Sequence, residues 1–92
     1  MENVVVLVPA YEPDGRLVDY VDSLSRSGFR HVVVVDDGSG GHFREIFDSL
    51  ASRPFCTVLR HDKNLGKGVA LKTGMRFIRE SLPDATCIVT AD

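Results

Sequence analysis

Cysteine is scarce in this chain of 92 residues: there are 2, Cys56 and Cys87, and neither belongs to a CxxC pair. That argues against a disulfide framework and against a zinc site built on paired thiols. Both cysteines lie in apolar, strand-like runs, so buried free thiols in a reduced cytosolic setting are expected. Histidine offers no metal site either, because His31, His42 and His61 lack ligand spacing. A basic excess is also missing. Lys and Arg number 11 against 13 Asp and Glu, and the net charge of −2 argues against general nucleic-acid binding. Long apolar runs are absent. VVVLVPA is too short to cross a membrane and has no basic leader, so neither a signal peptide nor a membrane span is expected. Repeats, low-complexity tracts and internal linkers are missing too. What remains is a globular composition, 43% hydrophobic. It suffices for one small domain of marginal stability, not for two.

A P-loop is missing as well, although one stretch resembles it. Residues 62–74, DKNLGKGVALKTG, hold glycines, lysines and the pair Lys72-Thr73. The phosphate-wrapping pattern needs Gly directly before the Lys, and Leu71 stands there. Leu71, Met75, Ile78 and Leu82 instead recur at helical spacing, which predicts one apolar helix face and puts Lys72 inside the helix. The loop is Asn64-Leu65-Gly66, and Lys67-Gly68 opens the helix. Free N–H groups and the dipole at such a start suit an anion.

The rest of the chain alternates regularly. Residues 4–8 (VVVLV) predict a strand buried on both faces, and residues 9–15 (PAYEPDG) a turn with Asp14 as candidate N-cap. Leu17, Val21 and Leu24 predict a helix ending at Gly28. Residues 32–35 (VVVV) predict a second strand, and Phe43, Ile46, Phe47 and Leu50 a second helix. Residues 56–60 form a third strand, about 68–81 a third helix, and 87–90 a fourth strand. The order βαβαβαβ specifies an α/β fold, a parallel Rossmann-like sheet with helices on both faces. Ligands of such sheets bind at the carboxyl ends of the strands. Pro9-Ala10-Tyr11, Asp36-Asp37-Gly38-Ser39, His61-Asp62 and Thr90-Ala91-Asp92 collect on that edge.

Several of these residues suit ligand chemistry. Asp36 and Asp37 are adjacent carboxylates that repel unless something neutralises or uses them. One can accept hydrogen bonds from a base or ribose, while D-G-S is equally good turn chemistry. Small residues at Pro9-Ala10 let a ligand approach the backbone, and Tyr11 can cover a planar base. Lys72, Arg76 and Arg79 share a helical stripe, expected to be a solvated surface. Lys67 differs, because its charge and the helix dipole would act on the same anion. Asp92, just after a buried strand, suits Mg²⁺ or Mn²⁺ as one oxygen ligand of several.

Together these features resemble the family 2 glycosyltransferases and the N-terminal half of their GT-A fold. The carrying residues are Val8-Pro9-Ala10-Tyr11, Val35-Asp36-Asp37-Gly38-Ser39, Asn64-Leu65-Gly66-Lys67-Gly68 with Ala70, and Thr90-Ala91-Asp92. Their order agrees across the whole chain. The subgroup most resembled is the polyprenyl-phosphate-sugar synthase type, whose fourth strand runs into a D-x-D motif. Glu12-Pro13 departs from the family's usual Asn-Glu. The resemblance implies a nucleotide-binding set of Pro9, Ala10, Tyr11, Glu12, Asp36, Asp37, Gly66 and Lys67. Pro9 and Tyr11 would contact the nucleoside, Asp37 would accept from the base, and Lys67 would lie near the base or diphosphate. Asp92 matches the first Asp of D-x-D and would bind Mg²⁺ or Mn²⁺.

The implied activity is inverting transfer of a sugar from a nucleotide-diphosphate donor to an acceptor such as a polyprenyl phosphate. The catalytic base is expected beyond residue 92. Residues 1–92 are then the nucleotide-sugar-binding portion, truncated at the start of D-x-D, inactive alone and weak in metal binding. The parent would work in the cytoplasm or at the cytoplasmic face of a membrane. Residues 87–90 would leave an apolar edge prone to self-association. Two other readings compete. A receiver-type phosphoacceptor module also groups acidic residues around Mg²⁺, and Asp36, Asp37 and Asp92 could mimic it. A nucleotidylyltransferase would want a glycine-rich basic loop after the first strand, and PAYEPDG is neither.

Overall fold

The computed structural model describes residues 3–91. Strands and helices alternate as β1 (Val4–Ala10), α1 (Arg16–Arg26), β2 (His31–Asp36), α2 (Arg44–Ala51), β3 (Cys56–Arg60), α3 (Lys67–Ser81) and β4 (Cys87–Thr90). A 3-10 turn, Gly41–Phe43, leads into α2. The strands form one sheet in the order β3-β2-β1-β4, and every pairing is parallel. The fold is therefore the expected Rossmann-like α/β sheet.

The two central strands are the valine-rich ones because both of their faces are covered. Val6, Val8, Ala10, Val32 and Val34 pack against Val21 of α1 and Phe47 and Leu50 of α2. Val5, Leu7, Val33 and Val35 face the other way, against Ala70 and Ile78 of α3. Strand alternation thus sends even-numbered residues to α1 and α2, and odd-numbered ones to α3.

Four local expectations change. β1 runs on through Pro9 and Ala10, which pair with Val35 and Asp36, so they are strand and not turn. Among the described residues β4 pairs stop at Leu7 and Thr90, short of the proline that lacks an N–H. Helix α1 starts at Arg16 with Gly15 as N-cap, while the Asp14 carboxylate accepts from the Arg16 amide at 2.9 Å. In α3 the buried residues are Ala70, Gly74 and Ile78, and Met75 is 43% exposed. The contact stripe is rotated from the predicted Leu71–Met75 line because small residues let the helix lie close to the sheet. A Cβ on Gly74 would overlap the Leu7 side chain. Finally, Cys56 is buried as expected, but Cys87 is exposed on the edge strand β4.

Candidate functional site

β2 carries two carboxylates to the carboxyl edge of the sheet, and alternation separates them. Asp36 continues the even-numbered side, and its Oδ1 accepts from the Ser39 amide at 2.9 Å, closing the Asp-Gly-Ser turn. Asp37 follows Val33 and Val35 toward α3, and its amide donates to the Ala10 carbonyl at 2.9 Å. Its side chain meets the segment between β3 and α3.

Asp37 is only 4% exposed, and every in-plane acceptor position of its carboxylate is used. Oδ1 accepts from the Leu65 amide at 2.9 Å and lies 2.9 Å from His61 Nδ1. Oδ2 accepts from the Gly66 amide at 2.9 Å and from Asn64 Nδ2 at 3.1 Å. Asn64 Nδ2 also reaches the Asp37 carbonyl at 3.1 Å. Burial tends to raise the Asp37 carboxyl. The hydrogen bonds from His61, Leu65 and Gly66 outweigh it and hold the group below the usual carboxylate range. An ionised carboxylate only accepts, so His61 Nδ1 carries a proton toward it. In the neutral ring Nε2 then accepts from Thr73 Oγ1, 2.9 Å away.

Gly38 makes this close approach of β2 and the 61–66 loop possible. Its φ is 76°, and a Cβ there would overlap the Lys63 carbonyl carbon and the Asn64 nitrogen. Glu12 is the described non-glycine residue at positive φ, 50°, and its amide donates to Ser39 Oγ at 2.8 Å. The turns after β1 and β2 are thereby tied together.

A cleft of about 350 Å³ opens on this edge. Pro9, Ala10 and Tyr11 form one wall, and Asp37, Asn64, Gly66 and Lys67 the other. Tyr11 is 53% exposed, so its ring is available to a planar group. At the second wall α3 begins. Gly66, with φ 100°, is its N-cap, and Ala70 N returns to Gly66 O at 3.0 Å. The first-turn amides of Lys67, Gly68 and Val69 precede that first helical bond, so they and the helix dipole favour an anion.

Of the residues predicted from sequence, Pro9, Ala10, Tyr11, Asp37, Gly66 and Lys67 meet at this cleft. Glu12 lies instead in a neighbouring cleft of about 400 Å³ with Tyr20. Asp36 borders a third, of about 230 Å³, with Arg44 and Arg60. Asp92 lies outside the described residues. Among the described residues no group of three or more His, Cys, Asp or Glu side chains could hold a metal ion. No helix among them is long and apolar enough to cross a membrane. The sequence reading puts His61 on this edge without a role and gives none to Thr73. Only their contacts across the loop reveal them; the position of His61 one residue past β3 was the available signal.

The comparisons agree with this architecture. The family model for glycosyl transferase family 2 matches residues 5–92. An uncharacterized protein of Methanocaldococcus jannaschii, MJ1222, is 35% identical over 75 residues, which covers 82% of this chain and 29% of that protein. The chain therefore corresponds to under a third of its relative's length. No solved structure matches the chain significantly. The family match spans all four strands and both walls of the cleft, and on that ground the chain belongs to glycosyl transferase family 2.

Proposed function

We propose that this chain forms the nucleotide-sugar-binding part of a glycosyltransferase and that the cleft between Tyr11 and Lys67 takes the nucleoside diphosphate of the donor. The observation that carries the reading is the convergence of the end of β1, the Asp37-held loop and the start of α3 on one cleft. Tyr11 would cover the base. The first-turn amides of α3 and the Lys67 ammonium would meet the diphosphate. A base N–H reaching Asp37 would share an oxygen that already accepts from the protein, so the first task of this carboxylate is to hold the 61–66 loop.

Within this reading the reaction is direct displacement at the sugar with inversion. A polyprenyl phosphate is the acceptor class we favour; its ionised phosphate oxygen would attack the sugar directly, whereas a hydroxyl acceptor would first need a carboxylate base. Mg²⁺ or Mn²⁺ would neutralise the departing diphosphate when bound. Asp92 would be one ligand, and the described residues by themselves do not complete its site. Glycosyl transfer would then take place in the cytoplasm or at its membrane face.

Titration of the isotope-labelled chain with uridine and guanosine diphosphate tests the reading. Amide shifts should move at Tyr11, Gly66 and Lys67 for at least one of them. Saturating shifts confined to other surfaces, or none with either nucleotide, would refute it.

A further inference from the structure

The hydrogen-bond chain behind the cleft ends on a residue outside its walls. Thr73 lies in the second turn of α3, and neither it nor His61 lines the cleft. Thr73 Oγ1 is 2.9 Å from His61 Nε2, and His61 Nδ1 is 2.9 Å from Asp37 Oδ1. Asp37 in turn holds the amides of Leu65 and Gly66, each at 2.9 Å. These amides belong to the turn that delivers Gly66 and Lys67 to the cleft wall.

Carboxylate, imidazole and hydroxyl in that order also describe a nucleophilic triad. In such a triad the hydroxyl meets the substrate. Here the carboxylate is the member at the cleft, and the hydroxyl sits behind it in the helix. The chain therefore works in the opposite sense, from helix to cleft. The Asp37 carboxylate, which only accepts, keeps a proton on Nδ1, and the Thr73 hydroxyl at Nε2 fixes the plane of the ring so that this N–H stays aimed at Asp37. Without that hydroxyl the far end of the ring loses its partner. The ring can then turn and carry its Nδ1–H out of line with the carboxylate. That turn leaves Asp37 less firmly placed and loosens the two amides it holds.

We propose that Thr73 and His61 are positioning residues for the ligand of the cleft, acting through Asp37 on the Leu65-Gly66 turn. This rests on the nucleoside diphosphate reading for the identity of the ligand, but the effect on the turn is independent of it. Helix α3 thereby sets the wall of the cleft from behind, at a residue the ligand does not touch.

The test compares Thr73→Val, which keeps the shape and removes the hydroxyl, with Thr73→Ser, which keeps the hydroxyl. Amide hydrogen exchange at Leu65 and Gly66, the ring nitrogen shifts of His61, and affinity for uridine and guanosine diphosphate are measured on the 92-residue chain. In Thr73→Val the two amides should exchange about five- to tenfold faster, as for one lost hydrogen bond, while Val33 in β2 is unchanged. The His61 ring nitrogen shifts should move as the ring loses its fixed orientation, and nucleotide affinity should fall by about three- to tenfold. Thr73→Ser should stay near the parent in all three. A purely structural role would lower global stability and leave the affinity and these amides in step with the rest of the sheet. Unchanged exchange at Leu65 and Gly66 in Thr73→Val, or unchanged affinity where the parent binds, overturns the proposal. If the parent binds neither nucleotide, the functional reading fails. The exchange data then decide the relay alone: release supports it and no release overturns it. Thr73→Ala carries the same expectations should Thr73→Val not fold.

Discussion

Replacing Asp37 by alanine removes the acceptor of His61 Nδ1, the Leu65 and Gly66 amides and Asn64 Nδ2. These donors do not suffer equally. Leu65 is 44% exposed and Asn64 is also at the surface, so water can replace the carboxylate there. His61 and Gly66 are more enclosed and lose most. An orphaned, partly dry donor costs about 1–3 kcal/mol, which gives about 2–6 kcal/mol for the two. A domain of this size holds about 5–14 kcal/mol in total. With a urea slope of about 2 kcal/mol/M, the midpoint should fall by about 1–3 M while the slope stays constant. Asparagine is a poor substitute, because its amide group would turn N–H bonds toward donors. The effect must also depend on pH. Asp37 titrates below its unfolded value in the folded chain, since its hydrogen bonds outweigh the cost of burial. Its stabilisation is therefore complete above the ordinary carboxylate value of about 3.9 and fades as pH falls through the lower folded value. Parent and Asp37→Ala should differ most at pH 6–7 and converge below about pH 4. An unchanged urea midpoint at neutral pH, or a gap that persists in acid, would refute the picture of a clamp made by an ionised carboxylate.

Three further outcomes are expected. Gly38→Ala should cost about 3 kcal/mol or more and displace the Lys63-Asn64 backbone, because it combines positive φ with backbone overlap; thermal melting measures the first and amide shifts the second. Thiol labelling at pH 8 should modify the exposed Cys87 and spare Cys56, whose thiol burial pushes up to about 11, until denaturant is added. Strand β4 lies at the edge of the sheet with Ile88 37% and Val89 42% exposed, so light scattering should show concentration-dependent association that Val89→Lys reduces.

The sequence by itself determined the alternation of strands and helices, the parallel sheet and the edge on which polar residues gather. These follow from short-range rules: valine runs, helical spacing of Leu17, Val21 and Leu24, and glycines where the chain turns. Alternation along β2 also required Asp36 and Asp37 to point apart. Which of them faces the cleft was not local information. It depends on α3 covering the side of Val33 and Val35, and α3 takes that side through a crossover connecting distant strands. The contact stripe of α3 departs from the most hydrophobic line of the helix for a related reason. Leu71 and Met75 are the more hydrophobic residues, but Ala70 and Gly74 let the helix approach Leu7, and closeness decided the packing. His61 and Thr73 were invisible as a pair because a bond between a strand end and a helix interior has no sequence period. Only the tertiary structure, by setting β3 beside β2 and α3 against both, brought the imidazole between Thr73 and Asp37.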